Sequence, residues 1–297
     1  MKTASWPGIV LALSAAVLWG TTGTAQHFAP SGLSPCWIGA LRLAIAALFF
    51  VLLVGATEHG PAPRPSRAWR RALMAGVSMA VYNLAFFAGV RLAGVAVGTT
   101  VAIGSGPLFA GALQAVVARR PPVASWWAGT ALAIAGGAAI ALGHGGAADT
   151  GLPGLALCLV AGFSYAVYTL TAKSLASQAS PARASLWVFA TAAAVALPAA
   201  WLIAPSGGAD LAGAGSRGWW VVAWLGVAAT GVAYLLFSSA LRFISAATGV
   251  ALAQGEPLTA FMLAVLVLGE PLRANGLAGI AAILAGLALV VRSESGQ

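Results

Sequence analysis

Gly104-Ser-Gly-Pro-Leu-Phe-Ala-Gly-Ala-Leu113 and Gln254-Gly-Glu-Pro-Leu-Thr-Ala-Phe-Met-Leu263 are two versions of one sequence, about half the chain apart. Each lies in an apolar run too long for a soluble core, and each leads through a proline turn into a further apolar run. Pro107 matches Pro257, Pro121 matches Pro271 and Gly129 matches Gly279. A duplicated polytopic chain with matching helix-breaking prolines has the build of a secondary transporter. Residues 1–147 and 148–297 are accordingly read as two repeats.

Composition agrees. Charged residues are 7% of the chain, hydrophobic ones 60%, and mean hydropathy is +0.93. A soluble domain places roughly a quarter of its residues in a charged shell, which this chain lacks. The net charge of +9 does not point to nucleic acid, because the basic residues sit in short loops between apolar runs and act there as topology signals. Lys2 and the apolar run from Gly8 resemble a signal peptide. No small-residue cleavage site precedes a soluble domain, so the run is read as the first membrane helix.

Ten spans are predicted, at about 7–27, 35–56, 69–91, 94–117, 123–143, 151–175, 182–204, 217–241, 245–268 and 273–292. Each supplies the roughly 20 apolar residues that cross the hydrocarbon layer as a helix, and no alternating β pattern competes. Tight joins at Arg91-Leu-Ala-Gly94 and Arg242-Phe-Ile-Ser245 make helical hairpins of spans three and four and of spans eight and nine. With the amino terminus in the cytoplasm, eleven of the fifteen Lys and Arg residues fall on the cytoplasmic side and three on the other, Arg42 lying within a span. That bias places both termini inside. Five spans per half is an odd number, so the second repeat is inverted, and inverted repeats give two related conformations open to opposite sides.

Enzyme motifs do not hold up. Gly162-Phe-Ser164-Tyr-Ala166 is near a nucleophile elbow, but Ser164 lies inside an apolar helix without an acid or base nearby. His27, His59 and His144 sit at span ends or in loops and form no zinc spacing. No metal or cofactor is expected, and no enzymatic activity. Cys36 and Cys158 read as buried thiols, with a disulfide as the lesser alternative.

Charges within the membrane are few. Glu256 falls about eleven residues into the ninth span, roughly 16 Å deep, and Arg42 about seven into the second, roughly 10 Å deep. An ionisable residue there is a functional candidate. Arg42 either snorkels, caps carbonyls or pairs with Glu256; Glu256 is read as lining a cavity. Pro107 and Pro257 are read as hinges, since each removes a backbone hydrogen bond at an equivalent depth. Trp19, Tyr82, Asn83, Phe86, Tyr165, Tyr168, Trp187, Tyr234 and Phe237 also lie within spans, and their polar atoms call for a wet cavity or a partner. The candidate substrate site comprises these residues apart from Tyr234, together with Gln254 and Glu256. Trp69, Trp126, Trp127, Trp219 and Trp220 read as interfacial anchors. Ala133 and Gly137, with Ala282 and Gly286, form small-residue faces that suit either an internal contact or a dimer.

Leu18-Trp19-Gly20, Leu41-Arg42-Leu43-Ala44, Ala240-Leu241-Arg242, Glu256-Pro257-Leu258 and Leu268-Gly269-Glu270, followed by the Gly279 and Gly286 helix, together resemble the drug/metabolite transporter superfamily, specifically its EamA family. Within it the chain is most similar to the YddG-type aromatic amino acid exporters. The resemblance implies an all-α protein that exports small metabolites, typically amino acids, across a bacterial inner membrane. It further implies a cavity lined by spans one, three, four, six, eight and nine. A monomer or weak homodimer is expected. Gly106 stands where the second repeat has Glu256, so the carboxylate's role is asymmetric. Sugar-phosphate, nucleotide-sugar or organic-cation carriers, a channel and an intramembrane enzyme are the alternatives; phosphates would call for more buried cations than Arg42.

Overall fold

The computed structural model describes residues 5–28, 34–58, 68–117, 119–142, 151–205 and 215–295. His59, His144 and the proposed repeat boundary at 147/148 lie outside them. The described residues form ten helices long and apolar enough to cross a membrane, and no strands. These are α1 (Trp6–His27), α2 (Pro35–Thr57), α3 (Ala68–Ala93), α4 (Val95–Val117), α5 (Ala124–Leu142), α6 (Leu152–Leu175), α7 (Pro181–Ile203), α8 (Gly215–Ala240), α9 (Ala246–Leu266) and α10 (Ala274–Ser295). Proline opens α1, α2, α6 and α7, where its missing N–H costs nothing.

The packing pairs repeat themselves. α6 lies on α3 and α4, and α1 lies correspondingly on α8 and α9; α2 packs on α7, and α5 on α10. The contacts of α6 with the first repeat are thus mirrored by those of α1 with the second, and α2 and α5 meet their own counterparts five places along, as expected of two five-helix repeats. The start of α1 and the end of α10 reach one end of the bundle, here the proximal end. Gly8 lies against Phe243 and Ile244, and Glu294 bonds Ser245, so both meet the same α8–α9 turn. Turn backbones repeat as well: Arg119 (φ 52°) and Gly269 (φ 72°) hold left-handed conformations at equivalent places. The arginine adopts there what glycine adopts at no steric cost.

Three expectations change. First, the two prolines are not equivalent. α4 runs unbroken through Pro107, whereas α9 is interrupted by a 3₁₀ turn at Ala253–Gly255, splitting it into α9a (Ala246–Leu252) and α9b (Glu256–Leu266). Second, Trp126 is not an interfacial anchor: it is 1% exposed and packs with Trp127 over Gly111. Trp69, Trp219 and Trp220 are exposed, as belt residues should be. Third, the small-residue face is internal, and of the expected residues Ala133 and Gly286 lie on it while Gly137 does not. α5 and α10 cross through Gly129 and Gly136 against Gly279 and Gly286; a Cβ on Gly136 would come within 2.6 Å of Gly279 O, and one on Gly286 within 2.6 Å of Ala133 N. Gly137 instead faces Pro257. Backbones that approach this closely gain van der Waals contact that lipid cannot offer, and this crossing joins the first repeat to the second. Cys36 and Cys158 are free thiols, Cys158 fully buried.

Polar bonds close the proximal end. Lys173 Nζ donates to Leu241 O (2.5 Å) and Ile244 O (2.9 Å), at the carbonyl end of α8. Glu294 accepts from Ser245 N (2.6 Å), Ser245 Oγ and Thr248 Oγ1, at the start of α9a. Gln114 Oε1 accepts from Ala247 N at 3.0 Å. Helices α4, α6 and α10 thereby fasten one turn. Glu58 accepts from Ser180 and pairs with Arg183 at 2.7 Å, tying α2 to α7. Each charge-assisted bond of this kind contributes about 1.5–3 kcal/mol. Lys173→Met should therefore raise proximal access: in a Cys36→Ser, Cys158→Ala background, a cysteine at the buried Ala251 should react with a thiol reagent roughly tenfold faster. Equal alkylation rates with and without Lys173 would show that the turn is held by packing alone.

Candidate functional site

The distal half of the bundle holds a cavity between the two repeats, with a volume of about 70 Å³. Trp19, Thr22 and Gln26 of α1 and Arg42 of α2 line one part; Tyr82, Asn83 and Phe86 of α3 line another. Ala102 and Ile103 of α4, Tyr165 of α6, Tyr234 of α8, and Gln254 and Glu256 at the break of α9 complete it. Helix α2, outside the expected lining set, enters through Arg42.

Seven of the ten residues proposed from sequence come together here: Trp19, Tyr82, Asn83, Phe86, Tyr165, Gln254 and Glu256. Tyr168 and Phe237 lie behind the wall, buried against Tyr165. Trp187 sits on α7, half-buried on the core and away from the cavity. Pro257 lines a neighbouring crevice, and Pro107 is buried within α4.

The rings form a floor more than a wall. Trp19 meets Tyr234 at 5.0 Å, Phe237 at 5.3 Å and Tyr165 at 6.4 Å between centroids, and Tyr82 meets Tyr165 at 5.1 Å. These tilted and edge-on contacts satisfy the rings mutually and seal the cavity from the proximal half. Above the floor, polar atoms remain unmatched. Trp19 Nε1 and Asn83 Oδ1 are buried without a hydrogen-bond partner in the protein. One is a donor and the other an acceptor, and a buried polar atom left alone costs about 1–3 kcal/mol.

Arg42 is held by a feature with no simple sequence signal. In the middle of α8, Val227–Val232 winds as a π-helix. Thr230 Oγ1 donates to Leu225 O at 2.7 Å and accepts from Arg42 Nε at 3.0 Å. The widened turn presents a hydroxyl to an arginine that would otherwise lack an anchor at this depth, a common setting for π segments. A threonine buried in the run Ala228-Ala-Thr-Gly231, opposite a mid-membrane cation, was the available clue. Across the cavity, Gln254 Nε2 donates to Ile103 O at 2.9 Å, a carbonyl of α4. The α9 break points Glu256 inward at the first turn of α9b. Gly106, its counterpart in α4, faces Tyr165 and Val250 at van der Waals distance, so that place is filled by neighbours.

The arrangement sets a guanidinium and a carboxyl group around one small volume, with Trp19 and Asn83 in its wall. Comparisons with known proteins give the family and the fold. Two segments, residues 6–142 and 152–292, match the model of the EamA-like transporter family. The chain is 36% identical over 278 residues to "Uncharacterized transporter YwfM" of Bacillus subtilis (strain 168), covering 94% of this chain and 91% of that protein. A crystal structure 19% identical in sequence superposes with a TM-score of 0.81, covering 97% of this chain and 98% of the other, a likeness of fold. The chain belongs to the EamA-like transporter family.

Proposed function

We propose that this transporter exports neutral amino acids, aromatic ones among them, from the bacterial cytoplasm by alternating access through the central cavity. One observation carries the reading: Arg42 and Glu256 line the same cavity, with Trp19 and Asn83 in its wall. A zwitterion fits that set, its carboxylate toward Arg42 and its ammonium toward Glu256. A sugar phosphate carries two or more negative charges, and Arg42 is the single cation among the lining residues. Labelled neutral amino acids, organic cations and sugar phosphates presented to proteoliposomes test the assignment. Transport of the last two alone would overturn it.

With the amino terminus in the cytoplasm, the cavity faces the periplasm and the fastened turn closes the cytoplasmic side. Fluorescent fusions at Gln297 and within 57–68 should then glow, and a periplasmic reporter should be active at both places only if the orientation is reversed. Cells overproducing the protein should tolerate toxic aromatic amino acid analogues. Trp19→Ala and Tyr82→Ala should remove most of that tolerance at near-normal abundance, because each opens the ring floor and costs about 3–5 kcal/mol of local packing. Unchanged tolerance in both variants would leave the rings without a part in transport.

A further inference from the structure

A second compartment adjoins the cavity. A crevice of about 520 Å³ descends between α4, α5 and α9b from the distal turns to the α9 break. Its walls are apolar and mostly small, with Val97 and Ile103 on α4, Ile134 and Ala138 on α5, and Pro257 and Ala260 on α9b. Ile103, Gln254 and Glu256 border both compartments, so a group held at Glu256 has the crevice beside it. The split of α9 creates this space: α9b leans on α1 and draws away from α4, while α9a keeps its contact with α4.

Volume decides how the two are used. Small-molecule sites span roughly 300–1,000 Å³; the central cavity, at about 70 Å³, holds a charged head and little more. Its rings are already packed on one another, which leaves no slot for another ring. The crevice has the size and the apolar surface that the cavity lacks. We propose that it is the side-chain pocket: the ammonium and carboxylate of the substrate occupy the central cavity, and a large apolar side chain passes beside Glu256 and the Gln254–Ile103 bond into the crevice. The transported class is then neutral amino acids with bulky apolar side chains, and Ala138 on α5 sets the permitted size. This inference rests on the amino-acid reading above.

The test compares L-phenylalanine with L-alanine in proteoliposome counterflow. Ala138→Phe should lower the preference for L-phenylalanine over L-alanine by roughly tenfold or more, as filling an apolar pocket does. Ala135→Phe, on the exposed face of the same helix, should keep the wild-type ratio. As a second measurement, a cysteine at Thr100, on the crevice wall, should be alkylated several-fold more slowly with L-phenylalanine present and at an unchanged rate with L-alanine. An unchanged ratio in monodisperse Ala138→Phe, or equal protection of Thr100→Cys by both amino acids, overturns the side-chain pocket while leaving amino-acid transport intact. Absence of transport of any amino acid by the wild type overturns the functional reading and the pocket with it.

Discussion

Glu256→Gln is expected to lower amino-acid transport by roughly thirtyfold or more while folded protein is recovered at near wild-type yield. The side chain lines both compartments at the start of α9b, and Gln keeps its shape and its hydrogen-bonding oxygen. Only the charge is lost. A charge-assisted hydrogen bond contributes about 1.5–3 kcal/mol, and about 1.4 kcal/mol is a factor of ten. Because Arg42 retains its bond to Thr230, the variant keeps the partner for the carboxylate of a zwitterion, loses the one for its ammonium, and should release the solute quickly. Binding in detergent should weaken in parallel with transport. Wild-type counterflow from Glu256→Gln in matched proteoliposomes would make the carboxylate structural. Pro257→Ala probes the break separately. Restoring the N–H should favour a continuous α9, slowing turnover with a smaller effect on affinity.

Gly286→Leu is expected to abolish folded protein, with monodisperse yield down at least tenfold. A Cβ at this position meets Ala133 N at 2.6 Å, and the obstacle is backbone, which cannot rotate away. Overpacking against side chains costs about 1–3 kcal/mol; separating α5 from α10 adds the loss of one of the largest contacts between the repeats. Gly55→Leu is the control, since nothing lies within 4 Å of its missing Cβ. Its yield should stay within roughly twofold of wild type, as surface changes usually do. Equal yields from the two variants would show that the crossing is dispensable.

The spans, their number and their pairing into repeats were legible because the bilayer sets the length of each helix and the prolines and glycines recur at fixed offsets. Glu256 was legible for a related reason: a lone carboxylate at membrane depth has few uses. Sidedness of packing was less so. Trp126 looked like a belt residue from its place near a span end, yet Gly111 on α4 leaves a hollow that takes its ring. Pro107 and Pro257 read alike, but a proline breaks a helix only where neighbours accommodate the bend. Around α4 the close packing on α6 at Gly162 keeps the helix straight. The π segment was invisible because winding depends on what Thr230 bonds across the bundle, and that partner is 188 residues away.

The π segment of α8 has a consequence for how the protein rests. Its counterpart α3 is wound throughout as an α-helix, and α4 lacks the interruption that divides α9. An exchange of roles between halves would yield two endpoints of equal energy only if the halves were interchangeable. Among the described residues the second half alone carries both irregular turns, and they hold Arg42 and aim Glu256. Under the proposed alternating access the two endpoints would therefore differ in free energy before any solute arrives. A gap of only about 1.4 kcal/mol already leaves ten molecules waiting in one state for each in the other. A vacant carrier built this way idles on one side of the membrane, and the energy of solute binding must overcome that bias in every cycle.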